Sequence, residues 1–494
     1  MKPLEPWLLI PTCELTPLAL PDWAAQCALA LQQGARLLTL FGRAEGADGV
    51  VTTAVFQHGE GHLSVLRGHA QRGACYPALT PRFPAAQMGE RELWEQTGLM
   101  PQGHPWLKPV RYEGALQQRM NDHEFFKVRG QEVHEVGVGP IHASVTEPGH
   151  FRFMCLGEEV QHLEIQLGYQ HRGVEALLLQ RPALALSSTI ESVVGDSSVA
   201  YAWAYCAAME ALGAHTPSPQ TEQVRGVALE LERVAMHLAS LTGLATDIAF
   251  LQGGATYGRL RTAIINASMR ACGSRFGRGW LRPGGVRFGL GEALRADLLD
   301  TLGAFAKDFA QMNQLMLAAR SVRARFQGVG VLSRADAQAL GLVGLVARAS
   351  GVALDTRASL PGTLYAAHPI ASPTEPGGDC WARMTLRMSE IDASVQWLTQ
   401  WLQSPWQELP ANELLASGHA LQANALCVSL REGFRGEVVH VLETGAAGQL
   451  LHYKLQDPSL PNWFGLGLCM RHTEISDFPI CNKSFDLSYC GSDL

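Results

Sequence analysis

The sequence predicts an α+β protein in three parts. A small N-terminal α/β unit spans residues 1–120, a linker residues 121–134, and a large, mostly helical bundle with antiparallel β-hairpins at its start and end residues 135–494. Three observations carry this. Strand-like alternation fills much of the first hundred residues. Apolar residues recur at i, i+3, i+4 over long stretches after Val174, and alternation returns near the C-terminus. A chain of 494 residues also exceeds one typical domain.

Taken in order, WAAQCALALQQG has helical period, while ARLLTLFGRA, GVVTTAVFQH and HLSVLRGHA alternate like strands. A helix over Glu90, Arg91, Glu92 and Leu93 stops near Gly98, and Pro101, Gly103 and Pro105 make a rigid turn. EGALQQRMNDHEFFKVRGQEVH is polar without clear periodicity and supplies the linker. FRF and HLEIQLGY alternate like hairpin arms, with Leu156, Gly157, Glu158 and Glu159 as the turn. Helical period follows in VEALLLQR, SSVAYAWAYCAAMEALG, TEQVRGVALELERVAMHLASLTGLATDIAFL and GRLRTAIINASMRACG, closed by a tight loop at Arg282, Pro283, Gly284, Gly285 and Val286. Two further helices, ALRADLLDTLGAFAKDFAQMNQLML and ARMTLRMSEIDASVQWLTQWLQ, flank a Pro- and Gly-rich excursion at residues 360–378. ALCVSLREG, GEVVHVLETG and QLLHYKLQD alternate. The apolar, turn-rich stretches DPSLPNWFGLG and ISDFPICNKSFDLSYCGSDL predict a tail folded back into the core.

Composition narrows the function classes. With 47% hydrophobic and 17% charged residues the chain is an apolar globular protein, and its net charge of −7 argues against nucleic-acid binding. No run of about 18 uncharged apolar residues predicts a membrane span. The opening MKPLEPWLLIPTCELTPL is a poor signal peptide, which predicts a cytoplasmic protein. Eleven cysteines with no C-x-x-C pair predict reduced, mostly buried thiols. No G-x-G-x-x-G after a strand and no P-loop occur, so no NAD site is expected.

Residues 139–175 concentrate chemistry. His142, Glu147 and His150 precede the hairpin, and His171, Arg172 and Glu175 follow it. Titratable groups at the mouth and foot of a hairpin can converge on one pocket. Read singly, Glu147 is a surface residue of a Pro-Gly turn or a carboxyl raised by desolvation for proton transfer. His142 is a strand-end residue or a ligand contact.

GPIH with EPGHFRF, LGYQHRGVEAL, LELERVAMHL, RPGGV, GDCWARMTLRMSEI, RGEVVHVL and DPSLPNW together resemble one family. It comprises the catalytic large subunits of membrane-bound, energy-converting [NiFe] hydrogenases, such as that of formate hydrogenlyase, and the 49-kDa-type subunit of respiratory NADH–quinone oxidoreductase. ERELWEQTGLMPQGHPWLKP resembles the 30-kDa-type subunit, fused ahead of the large domain.

The family's metal centre needs four thiolates from two C-x-x-C pairs, soft ligands that also clamp the tail. At the positions matching them this chain has Val194 and Ser197, then Ser488 and Gly491, with Cys490 matching neither. The family's arginine ahead of the first pair is Ser192. The resemblance therefore implies a hydrogenase-related branch that keeps the scaffold without a nickel–iron centre. It also implies the other roles. Glu147 matches the proton-passing glutamate and His142 the first histidine of the quinone-binding loop. His171 and Arg172 face the [4Fe–4S] cluster of a partner small subunit, where an arginine raises its potential. Asp196, Ser197, Ser488 and Asp493 are expected to meet in the emptied pocket, bonding to one another, to water, to a small ligand or to a hard cation. No cofactor is expected on this chain itself. A quinone is the expected acceptor, and the expected partners are the small subunit and, through the complex, antiporter-like membrane subunits. The expected location is the cytoplasmic face of the inner membrane, as part of a complex.

Overall fold

The N-terminal helix Leu20–Gln32 places Leu20, Trp23, Ala24 and Cys27 on one face, and all four are buried. Pro21 sits in the first turn, where a missing N–H is harmless. That face packs on a four-stranded sheet ordered Leu18–Ala19, His62–Gln71, Gly49–His58, Arg36–Glu45, chiefly against Val50, Ala54 and Phe56. These elements belong to a computed structural model that describes residues 4–59, 61–113, 119–130, 132–143, 146–405, 409–410 and 413–494. The architecture is mixed α+β, with several small sheets and many helices.

The first strand leaves the unit in which the sequence places it. Trp7–Pro11 pairs antiparallel with Ala425–Glu432 and so becomes the edge of the C-terminal sheet, followed by Glu437–Thr444 and Leu450–Gln456. The two sheets then share an apolar cluster in which Leu38, Phe41 and Val55 meet Val428, Leu430, Val439 and Val441. Arg43 and Arg67 converge on Glu443, the former at 2.9 Å. Such a seam, apolar with paired charges, joins the N-terminal unit to the far end of the chain.

The hairpin forms as read, His150–Leu156 against Glu159–Gln166, but it has a third strand. Val133–Val138, split in the sequence reading between linker and bundle, pairs with His150–Leu156. Residues 114–118 and 131 of the linker reading, and residues 144–145 of the stretch 139–175, lie outside the described residues.

Helix Ser198–Leu212 is buried on every side, which makes it the centre of the bundle. Around it run Pro219–Asp247, Leu251–Cys272, Glu292–Ala318 and Cys380–Gln403. The apolar period read as continuous to Leu251 is interrupted at residues 248–250, where Ala249 takes φ 58° and the chain reverses into the next helix. Two regions read as irregular are partly helical. Gly362–Ala367 forms inside the excursion, and Ser459–Cys469, Phe478–Phe485 and Tyr489–Asp493 build the tail.

Several family-like motifs are explained by buried charge. Glu230 of LELERVAMHL takes Arg233 at 3.0 Å and Arg357 at 3.1 Å. Arg348 pairs with Glu390 of the MSEI segment at 2.7 Å and with Glu432 at 2.8 Å, and His237 reaches Glu390 at 2.8 Å. Burial pushes His237 down to about 4, so it sits neutral among these pairs. Charges this deep persist only when paired and hydrogen-bonded. No helix of the described residues is long and apolar enough to cross a membrane.

Candidate functional site

The C-terminal helix Tyr489–Asp493 is inserted between the hairpin, the HRG segment and the start of helix Ser198–Leu212. Ser488 caps it, accepting from Gly491 N at 2.9 Å, while its own N–H donates to Ser459 Oγ at 2.9 Å. The backbone oxygen of buried Leu494 accepts from Arg172 N at 2.8 Å. Tyr489 packs so closely on Gly149 that a Cβ there would lie 2.7 Å from its ring.

The two segments expected to face each other do meet. A Cβ built on Gly491 would stand 2.9 Å from Val194 Cγ2 and 2.5 Å from Asp457 Oδ2. The space between positions 194 and 491 is thus taken by Asp457, whose Oδ2 accepts from Tyr201 Oη at 2.6 Å and Oδ1 from Ser459 N at 2.7 Å. Burial pushes the Asp457 carboxyl up, against those hydrogen bonds and the nearby Arg435 charge. A nickel–iron centre does not fit these residues. Val194 and Gly491 have no donor atom, and a side chain at 491 would collide with Asp457. Among the described residues, no group of three or more His, Cys, Asp or Glu side chains is arranged to hold a metal ion.

Asp196, Ser197, Ser488 and Asp493, expected around one pocket, are engaged separately. No hydrogen bond among the described residues joins any two of them. Asp196 takes a bidentate pair from Arg435, at 2.7 and 2.8 Å, and Arg435 also donates to the Asp486 carbonyl and lies 4.3 Å from the Phe434 ring centre. Ser488 is engaged in the cap. Ser197 is buried at the start of helix Ser198–Leu212, its carbonyl accepting from Tyr201 N at 3.2 Å. Asp493 accepts from Gly168 N and Gln170 N, both at 2.8 Å. Backbone amides thus satisfy Asp493 and Ser488, and Arg435 satisfies Asp196.

The HRG segment is seated on the tail. His171 Nδ1 donates to the Asp493 carbonyl at 2.8 Å and Nε2 to Glu113 at 2.9 Å. Burial works against charge on His171, but the Glu113 hydrogen bond and the Asp493 carbonyl outweigh it and raise its pKa. Glu113, despite its own burial, is held down to about 2 by His171, Gln96 and Arg111. Arg172 donates to the Val193 carbonyl at 2.9 Å and to that of Cys490 at 3.1 Å, stapling the 193 loop to the tail. Glu175 accepts from Leu455 N at 2.9 Å and pairs with Lys454 at 3.2 Å.

Glu147, expected in an apolar pocket, is exposed in this chain because its Pro-Gly turn runs along the surface. It is still close to the tail. Burial pushes the Cys490 thiol up to about 11, with the Glu147 charge adding to that effect, and the Tyr489 hydroxyl is raised by the same two causes. His142 Nε2 donates to the Gly149 carbonyl at 2.8 Å and its ring lies 5.9 Å from that of Phe151, a strand-end arrangement.

Sequence reasoning missed Asp457, Tyr201, Arg435 and Arg111. Asp457 and Arg435 lie inside DPSLPNW and RGEVVHVL, so motif membership was their signal. The ERELWEQ helix explains the rigid turn beyond it. Glu95 accepts from Val110 N at 2.7 Å and Arg111 N at 3.1 Å, and Arg91 donates to the Lys108 and Pro109 carbonyls. Glu92 pairs with both Arg111 and Lys454, and Arg111 Nε reaches the Ser492 carbonyl at 2.8 Å. The segment Lys108–Arg111 beyond the turn is therefore tied to this helix and, through Arg111, to the tail, while Gly103, Pro105 and Trp106 stay exposed.

Residues 247–425 match the family model described as respiratory-chain NADH dehydrogenase, 49 Kd subunit. Formate hydrogenlyase subunit 5 of Escherichia coli (strain K12) is 29% identical over 445 residues, 85% of this chain and 77% of that protein. The alpha subunit of the membrane-bound hydrogenase of Pyrococcus furiosus is 26% identical over 71% of this chain and 85% of its own length. An NADH-quinone oxidoreductase subunit of a Dehalococcoides mccartyi strain is 30% identical over 362 residues, 71% of this chain and 96% of that protein. With the ordered motifs folded around one C-terminal tail, these likenesses place the chain in the family of 49-kDa-type NADH dehydrogenase subunits and large subunits of membrane-bound hydrogenases.

Proposed function

We propose that the chain is the large subunit of a membrane-associated, respiratory-type oxidoreductase complex related to hydrogenases. It supports electron and proton transfer between a [4Fe–4S] small subunit and a quinone or other small acceptor, and it carries no nickel–iron centre. One observation carries the reading: the space between positions 194 and 491 is taken by Asp457, while the HRG segment beside it stays ordered by His171, Arg172 and Asp493. Arg172 keeps a fixed cation at the expected cluster-facing position. Glu147, exposed and close enough for its charge to act on Cys490, would exchange protons with solvent or with a neighbouring subunit. The complex would sit on the cytoplasmic face of the inner membrane.

The test is to purify the tagged complex from membranes and determine its subunits, iron and nickel content, and activity with quinone analogues. Glu147→Gln and Arg172→Met are expected to impair acceptor reduction. Survival of electron transfer to every acceptor in both variants would remove the redox reading, and stoichiometric nickel would remove the metal-free one.

A second reading has its own support. The HRG side chains spend their hydrogen bonds on backbone carbonyls and Glu113, as purely structural residues would. In that reading the chain transmits conformational change to antiporter-like membrane subunits without redox chemistry of its own.

A further inference from the structure

A cavity of about 430 Å³ lies on the other side of the tail from Asp457, between the N-terminal unit and the large one. This is within the size range of small-molecule sites. Trp106 and Phe126 form one wall, Trp463 and Phe464 another. Trp106 and Phe126 meet edge-on, with ring centres 5.8 Å apart, and present one aromatic surface.

Three polar side chains in the lining are incompletely satisfied. Arg91 donates to two backbone carbonyls, and its Nη1 meets only the thioether of Met88, at 3.5 Å. Among the described residues, no carboxylate lies within ion-pair distance of Arg91. The neighbouring Lys108, by contrast, is paired with Glu164 at 2.9 Å. Gln166 is 6% exposed, donates to Tyr169 Oη at 3.2 Å, and has no partner for its Oε1. A half-turn of that amide would let Tyr169 donate to Oε1 and free Nε2 as a donor. The buried Tyr112 hydroxyl also has no partner. Leaving such groups unpaired is costly, so these three around one cavity favour an occupant that pairs with them.

The missing partner has a definite chemistry. Glu164 and Asp493 also line the cavity, but the lining cations Arg91, Lys108 and Arg471 outnumber them. A guanidinium without an ion pair, a hydroxyl and an amide that can donate all suit one anionic oxygen pair, while the aromatic walls suit a flat apolar body. We propose that this cavity binds an amphipathic monocarboxylate, its carboxylate toward Arg91, Tyr112 and Gln166 and its body between the two aromatic walls. The site is separate from the former metal position. Because Ser492 and Asp493 line the cavity, the occupant also braces the tail.

The test is isothermal titration calorimetry on the purified complex with 2-naphthoate, and with 2-naphthamide as its uncharged counterpart. Saturable 2-naphthoate binding is expected, with the amide at least about tenfold weaker. Tyr112→Phe removes a hydroxyl that bonds nothing in the protein, so the fold is kept, and 2-naphthoate affinity should fall about tenfold. Val128→Trp, which puts a large side chain into the lining, should abolish binding. The proposal is overturned if 2-naphthoate shows no saturable binding, if the amide binds equally well, or if both variants bind like the unmodified complex. None of these readouts depends on electron transfer, so they fail or succeed independently of the redox reading.

Discussion

Gly491→Ala should release the C-terminal tail. The added methyl would lie 2.5 Å from Asp457 Oδ2, 2.6 Å from its Cγ and 2.9 Å from Val194 Cγ2, so Asp457 must move. It is anchored by Tyr201 Oη at 2.6 Å and Ser459 N at 2.7 Å, and it is 2% exposed, so movement strands buried donors that water cannot reach. Each loss is worth about 1–3 kcal/mol. Alanine returns ~1 kcal/mol by its better helix propensity. The net is ~3 kcal/mol, roughly a hundredfold larger population of the detached tail. Carboxypeptidase release of Leu494, which is buried in the closed form, reads that population directly when closing outruns cleavage. Asp457→Ala combined with Gly491→Ala should release the tail less than the two single effects added, because the first change removes the atom that the new methyl would strike. If Gly491→Ala is cleaved at the unmodified rate, the packing argument is wrong.

Other expectations follow from the same contacts. Arg172→Met loses the two bonds that Nη2 makes to the Val193 and Cys490 carbonyls and should speed Leu494 release about tenfold, with Arg172→Lys recovering part of the loss because a single nitrogen serves both carbonyls. Glu92→Gln takes the ion pair from Arg111 and leaves Lys454 with Glu175 alone, Glu92, Arg111 and Lys454 being no more than 2% exposed, and should destabilise the chain by about 3 kcal/mol, seen as a lower urea midpoint. The Glu113–His171 pair sets a pH window. Glu113, depressed to about 2, contributes fully above about pH 4.3 and is lost as pH falls toward 2, whereas raised His171 contributes fully below about pH 6.5 and is lost as pH rises through its folded value. Leu494 release should therefore be slowest at about pH 5–6, and Glu113→Gln should lower the His171 pKa measured by NMR; an unchanged titration would refute the pairing.

Most regular elements were legible because they carry one dominant period: the alternation of GVVTTAVFQH and the i, i+3, i+4 faces of Leu20–Gln32 answer to one buried surface each. Three kinds of feature were not. The pairing of Trp7–Pro11 with Ala425–Glu432 spans most of the chain, and nothing local in WLLIP names its partner. Helix Ser459–Cys469 reads as a turn because of Pro461 and Gly465. Yet the proline falls in the first turn, and a Cβ on Gly465 would lie 2.7 Å from Leu342 Cδ1, so the glycine marks close packing. At the site, the tail and the HRG segment were visible as motifs. The occupant of the space between them was not, since Tyr201 and Asp457 are 256 residues apart and become neighbours only through the fold.

The way the tail is held bears on what the missing thiolates did. In the family's pattern a metal bound by two distant segments also fastens the C-terminus, because binding energy at such a site is folding energy. Here protein groups fasten it from three directions. Arg111 of the N-terminal unit holds the Ser492 carbonyl, His171 and Arg172 hold the carbonyls of Asp493 and Cys490, and Trp463 Nε1 donates to Ser492 Oγ at 2.9 Å. Each grip is modest and they share one short helix. Removing any one should therefore loosen the tail only partly, and removing two should exceed the sum of the single effects. A tail so held keeps the HRG segment in place with protein contacts alone. The electron-transfer and the structural readings of this subunit both require that, and only the acceptor assays on Arg172 and Glu147 variants separate them.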